Sequence, residues 1–73
     1  MDKAVYSSEY KLILEKLKKA RLDADLKQSD VAQALQKPQS YISKIESGER
    51  RLDILELKAL AKLYKKPVSY FYR

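Results

Sequence analysis

The sequence predicts an all-α fold in a single compact domain over residues 1–73. Three observations carry that reading. One Gly and two Pro are few helix breaks for a chain of this length. Good helix formers such as Lys, Leu, Ala and Glu dominate. Apolar side chains recur at i, i+3 and i+4 rather than alternating. A domain this small buries only about 60% of its unfolded surface, so its core must be compact.

The first helix is expected from Ser8 to Asp23. Ser7 or Ser8 supplies a capping hydroxyl, and Tyr10, Ile13, Leu14, Leu17 and Ala20 share one face. It should stop near Asp25, because Asp tolerates a left-handed turn better than most residues. Residues 1–7 are expected to form a flexible N-terminal segment. Val31, Ala32 and Leu35 mark a second helix over 28–36, with Leu26 leading in. Pro38 then breaks the chain and suits the start of a third helix, which carries Tyr41, Ile42 and Ile45 and ends at Gly48. Asp53 opens the fourth helix, and Glu56 three residues later completes a capping-box pattern. Ile54, Leu57, Leu60, Ala61 and Tyr64 are expected along one apolar face. After Pro67, residues around Val68, Phe71 and Tyr72 form a last single-turn helix.

Composition excludes several functions. Without Cys or His, the chain has no disulfide, no Cys/His zinc site, and no Ser-His-Asp or Cys-His machinery. No metal, cofactor or small-molecule ligand is expected, and neither is an enzyme. The first ten residues hold no apolar run, so they do not resemble a signal peptide, and no stretch is apolar enough to span a bilayer. A cytoplasmic protein is the default expectation. The net charge of +6 suits an anionic partner, nucleic acid or membrane surface.

The informative stretch is Leu26 to Arg51, LKQSDVAQALQKPQSYISKIESGERR. Two short helices are joined by a tight turn, with small Ala32 where the second must cross the first. That is helix-turn-helix geometry, at about 28–47. On Leu26, Gln28, Val31, Ala32, Leu35, Ile42, Ser43, Glu46 and Gly48 the chain resembles the lambda-repressor-like helix-turn-helix family, the Cro/CI or Xre type. The resemblance covers about residues 8 to 72. It implies a compact five-helix domain and sequence-specific binding of double-stranded DNA by a transcriptional regulator, bacterial or phage-encoded and nucleoid-associated. Lys27 stands where the family caps the second helix with Thr or Ser, a loss of about 1 kcal/mol. Asp25 and Gln36 stand where relatives use turn Gly.

The resemblance further implies roles. Gln39, Ser40, Ser43 and Lys44 read bases from the recognition helix, with Gln39 suited to adenine. Lys27, Gln28, Lys37, Arg50 and Arg51 are phosphate-contact candidates. Tyr41 either rests on the sugar-phosphate edge or covers the junction of the second and third helices. Arg21 and Glu46 match the positions of an internal ion pair that fixes the recognition helix. A homodimer on a palindromic operator is expected, with Leu55, Leu63, Val68, Tyr70, Phe71 and Tyr72 as contact candidates.

Charge alone does not locate this surface. Residues 27–51 carry five bases and three acids, whereas residues 52–73 carry five and two. Lys58, Lys62, Lys65 and Lys66 form a stripe that fits a solvated face. The rival reading is a helical protein-interaction adaptor or an antitoxin-like partner of another protein. The polar face of Gln39, Ser40 and Lys44 argues against an adaptor groove. Phage repressor, restriction–modification controller and antitoxin roles remain equally open from sequence.

Overall fold

The computed structural model describes residues 8–72. The expectations for a flexible segment at 1–7 and a cap at Ser7 lie outside the described residues. Four α-helices follow in order: α1 (Ser8–Asp23), α2 (Gln28–Leu35), α3 (Gln39–Ser47) and α4 (Ile54–Leu63). The expected fifth helix is corrected to a single 3-10 turn over Val68–Phe71. Its backbone closes i to i+3, with Tyr70 N–H on Pro67 O at 3.0 Å and Tyr72 N–H on Ser69 O at 3.3 Å. Among the described residues there is no strand, and no helix is long and apolar enough to cross a membrane.

The apolar periodicity translates into one core. Leu14, Leu17 and Ala20 of α1 meet Val31 and Ala32 of α2, Ile42 and Ile45 of α3, and Leu57, Leu60 and Ala61 of α4. Tyr64 and Phe71 close it. Phe71 is only 1% exposed, so of the dimer-contact candidates it is the one that the chain's own core claims. A ring enclosed by its own chain has no face to offer a partner. The Tyr10 hydroxyl accepts the Leu52 N–H at 3.0 Å, tying α1 to the segment before α4.

Tight stops let such short helices pack. At the end of α1, Asp25 takes φ 62°, its N–H reaches Leu22 O, and Leu26 N–H reaches Arg21 O. These two bonds are the Schellman pattern, which satisfies carbonyls that the helix leaves open. Gln36 does the same after α2 at φ 58°, and Lys65 after α4 at φ 61°. Gly48 stops α3 at φ 88°. The left-handed stops at Asp25 and Gln36 fall where sequence places them. Lys65 was not foreseen, because a long side chain gives no sign of a left-handed position. At the start of α4 the capping box is complete, with Glu56 N–H on Asp53 Oδ1 at 2.7 Å and Asp53 N–H on Glu56 Oε1 at 2.9 Å.

Gly48 stops α3 in a left-handed conformation that strains any L side chain, with an added Cβ in contact with Leu14 Cδ1 at 3.4 Å. Gly48→Ala should therefore destabilise the fold by about 1–2 kcal/mol, read from the urea midpoint at unchanged slope.

Candidate nucleic-acid interface

Residues 36–38 join α2 to α3. Gln36 reverses the chain, and Pro38 serves as the N-cap of α3 at φ −67° and ψ 153°. That conformation suits its ring, and no N–H is lost there. Ala32, 3% exposed, lets the two helices approach closely. Ile42 and Ile45 point inward at 1% exposure each. Helical geometry then turns Gln39, Ser40, Ser43 and Lys44 outward, and all four are exposed. Ser47 shares this outward side, a position sequence reading passed over although it lies four residues beyond Ser43. Its hydroxyl donates to Lys44 O at 3.2 Å.

Beneath α3 lies a buried polar network. Arg21 Nε donates to Glu46 Oε2 at 2.7 Å, and Nη2 donates to Oε1 at 3.2 Å. This is a two-pronged bridge between side chains only 7% and 8% exposed. The third arm of the guanidinium, Nη1, donates to Leu26 O at 2.9 Å. One side chain thus joins the end of α1, the lead-in to α2 and the last turn of α3. Glu46 Oε1 also accepts from Gln28 Nε2 at 3.0 Å. Gln28 Oε1 in turn accepts from Gln39 Nε2 at a longer 3.5 Å. Sequence reading gave Gln28 a surface role, whereas its amide lies half-buried in this chain of contacts. Tyr64 lies close by: burial raises its hydroxyl pKa well above the usual value, Glu46 adds to the rise, and Arg21 opposes it.

A second network stands at the other edge of α3. The Tyr41 hydroxyl donates to Glu56 Oε2 at 2.6 Å. Arg50 Nη1 lies 3.0 Å from the same oxygen. The Arg50 guanidinium sits 4.7 Å from the centre of the Tyr41 ring, and Lys37 Nζ sits 5.3 Å from it. The Tyr41 side chain is thus held between Glu56 of α4 and the cations of Lys37 and Arg50. Burial, then the bond to Glu56, pushes its pKa up to about 12. Glu56 was expected only to cap α4. Nothing in its spacing signals that it also holds Tyr41 and Arg50, fifteen and six residues away in sequence. Arg51 is exposed beside this cluster.

At the start of α2, Asp30 Oδ2 accepts the Lys27 N–H at 2.8 Å. Lys27 cannot return the bond, since an ammonium has no lone pair. Its side chain therefore caps none of the first N–H groups of α2. The apolar candidates divide by exposure. Leu55 is 71% exposed and Tyr72 62%; Ile54, expected on the apolar face of α4, is corrected to an exposed position at 60%, since it opens the helix beyond the reach of the core. Leu63, Val68 and Tyr70 are half-buried. Tyr70 meets Phe71 edge to face at 5.0 Å and carries Lys66 Nζ at 4.8 Å.

Residues 17–71 match the model of a helix-turn-helix family. No curated protein and no solved structure matches the chain.

Two outcomes test this geometry. Arg21→Ala or Glu46→Ala alone should cost about 3–5 kcal/mol of stability, because each leaves its partner buried and unpaired. In a double-mutant cycle the two losses should be strongly non-additive. For Tyr41, the folded chain holds the proton more tightly than the unfolded chain, where the value is 10.0. Its stabilising share is complete below about pH 10 and is lost as pH rises towards about 12. Tyr41→Phe should flatten that alkaline fall in unfolding free energy.

Proposed function

The chain belongs to this helix-turn-helix family, of the Cro/CI or Xre type, and from that premise we propose that it regulates transcription by reading a double-stranded DNA operator. The observation that carries this reading is the outward side of α3. It presents Gln39, Ser40, Ser43 and Lys44 together, with the helix anchored from behind by Arg21 and Glu46. Laid in a major groove, Gln39 Oε1 accepts from the adenine N6 amine while a free N–H donates to N7. Lys44 reaches guanine O6 and N7, or a phosphate. Ser40 and Ser43 make short polar contacts.

Phosphates on either side set the register. At one edge the open N–H groups of α2, with Gln28 and Lys27, face a backbone oxygen. At the other edge stand Lys37, Arg50 and Arg51. Tyr41 acts here through the two cations gathered on its ring, since Glu56 engages its hydroxyl.

One such domain reads a short half-site, so two copies bind a palindrome with half-sites about 34 Å apart. Leu55 and Tyr72 are the apolar candidates with surface to offer a second copy. Occupancy of the operator excludes other proteins from it, which is repression without catalysis or cofactor. Selecting bound duplexes from a random DNA pool tests the whole reading. A recovered palindrome supports it, and recovery without any common sequence would refute specific readout.

Two substitutions separate the contact types. Gln39→Ala should relax preference at one base pair, at a cost of about 1–3 kcal/mol for the preferred duplex. Arg51→Ala should weaken every duplex alike and reduce the salt slope by about one unit. Fluorescence anisotropy against a set of single-base-pair variants distinguishes the two.

A further inference from the structure

We propose that Glu56 holds back the charge of Arg50, so that DNA must win this guanidinium from a carboxylate of the chain's own fold. The inference rests on the reading of DNA by α3 and adds an internal competitor for one of its phosphate contacts. Arg50 N–H closes on Lys44 O at 3.0 Å, which fixes its backbone just past α3. Only the side chain is left to choose a partner. Its Nη1 lies 3.0 Å from Glu56 Oε2 and 3.3 Å from Oε1, and it donates to Arg51 O at 3.1 Å. The Tyr41 ring supports the guanidinium in that place at 4.7 Å. Arg50 and Glu56 together carry no net charge, so the pair itself attracts no phosphate.

The Arg21 and Arg50 pairs differ in how firmly they close. Arg21 grips Glu46 with two arms, and both side chains are withdrawn from water. Arg50 reaches Glu56 through Nη1 alone, and its side chain is 43% exposed. Water competes for a pair of that kind, so it exchanges. Glu56 does not follow its partner outward. Its Oε1 accepts the Asp53 N–H at 2.9 Å, its Oε2 accepts the Tyr41 hydroxyl at 2.6 Å, and its side chain is only 15% exposed. A phosphate that takes Arg50 therefore leaves a fixed carboxylate behind, and a cation from solution replaces the guanidinium there. The counterion that DNA gives up is matched by one that the protein takes up. Arg50 thus adds little to affinity or to its salt dependence while Glu56 is present. The effect is the same on every duplex, because a phosphate contact carries no sequence.

Glu56→Asp tests this without changing the net charge. At the corresponding position of α2, Asp30 closes the Lys27 N–H at 2.8 Å, so an aspartate can keep the helix start while its oxygens fall short of Arg50. E56D should raise affinity for every duplex about fivefold and steepen the salt slope by about one unit, as one more cation meets a phosphate. In the R50A background the same substitution should give no such gain. Unchanged or weaker binding by E56D overturns the proposal, and so does an equal gain in the R50A background. In either case a common sequence selected by the parent chain shows that the reading of DNA stands. A parent chain that selects no common sequence overturns that reading and the proposal with it. Should E56D not fold, shown by loss of its thermal transition, E56Q replaces it. A gain about threefold larger with Arg50 present than in the R50A background then upholds the proposal. Equal gains refute it, since a carboxylate that only repels DNA does so whichever residue stands at position 50.

Discussion

The pairing of Arg21 with Glu46 is the constraint on which the arrangement of the three N-terminal helices depends. These side chains are twenty-five residues apart and almost fully withdrawn from water. Such a pair is weak evidence for net stability, because desolvation offsets much of the attraction. Its effect is directional. The guanidinium is a rigid fork, and each arm has one partner: Glu46 through two arms and Leu26 O through the third. Leu26 is also the residue whose N–H closes the end of α1 on Arg21 O. One side chain therefore bridges the stop of α1, the entry to α2 and the last turn of α3. A different rotation of α3 would bury Gln39 or Lys44 and expose Ile42 or Ile45.

A second carboxylate plays a comparable part at the other edge. Glu56 closes the N-terminus of α4, accepts from Tyr41 and pairs with Arg50. Both acids thus turn towards the fold and are neutralised there. Asp30 is likewise turned back, onto the Lys27 N–H. Overall charge attracts a polyanion to the whole surface and does not single out one side.

The helix stops show how the chain keeps its connections short with a single glycine. Asp25, Gln36 and Lys65 each adopt a left-handed conformation that costs non-glycine residues about 1 kcal/mol or more. Each also closes two backbone bonds of a Schellman turn, and a buried or half-buried residue follows or precedes it. Local strain is accepted because the packed helices over-determine the turn. Gly48 remains glycine where the backbone passes within contact of Leu14.

Sequence by itself determined the four α-helices and their approximate limits, because apolar spacing, Pro38, Gly48 and the Asp53–Glu56 box are local signals, but it did not separate a last helix from the 3-10 turn at Val68–Phe71. The outward position of Gln39, Ser40, Ser43 and Lys44 was equally legible, since burying Ile42 and Ile45 leaves those positions on the opposite side of α3. The placement of Arg21 beside Glu46 was reached only through family resemblance, because no local rule links residues so far apart. Only tertiary structure decided what the polar side chains do between helices. It gave Gln28 to Glu46 and Gln39, and Tyr41 to Glu56. Those choices depend on which side chains meet when the helices cross, and donors and acceptors withdrawn from water must then take whichever partners that crossing brings within reach.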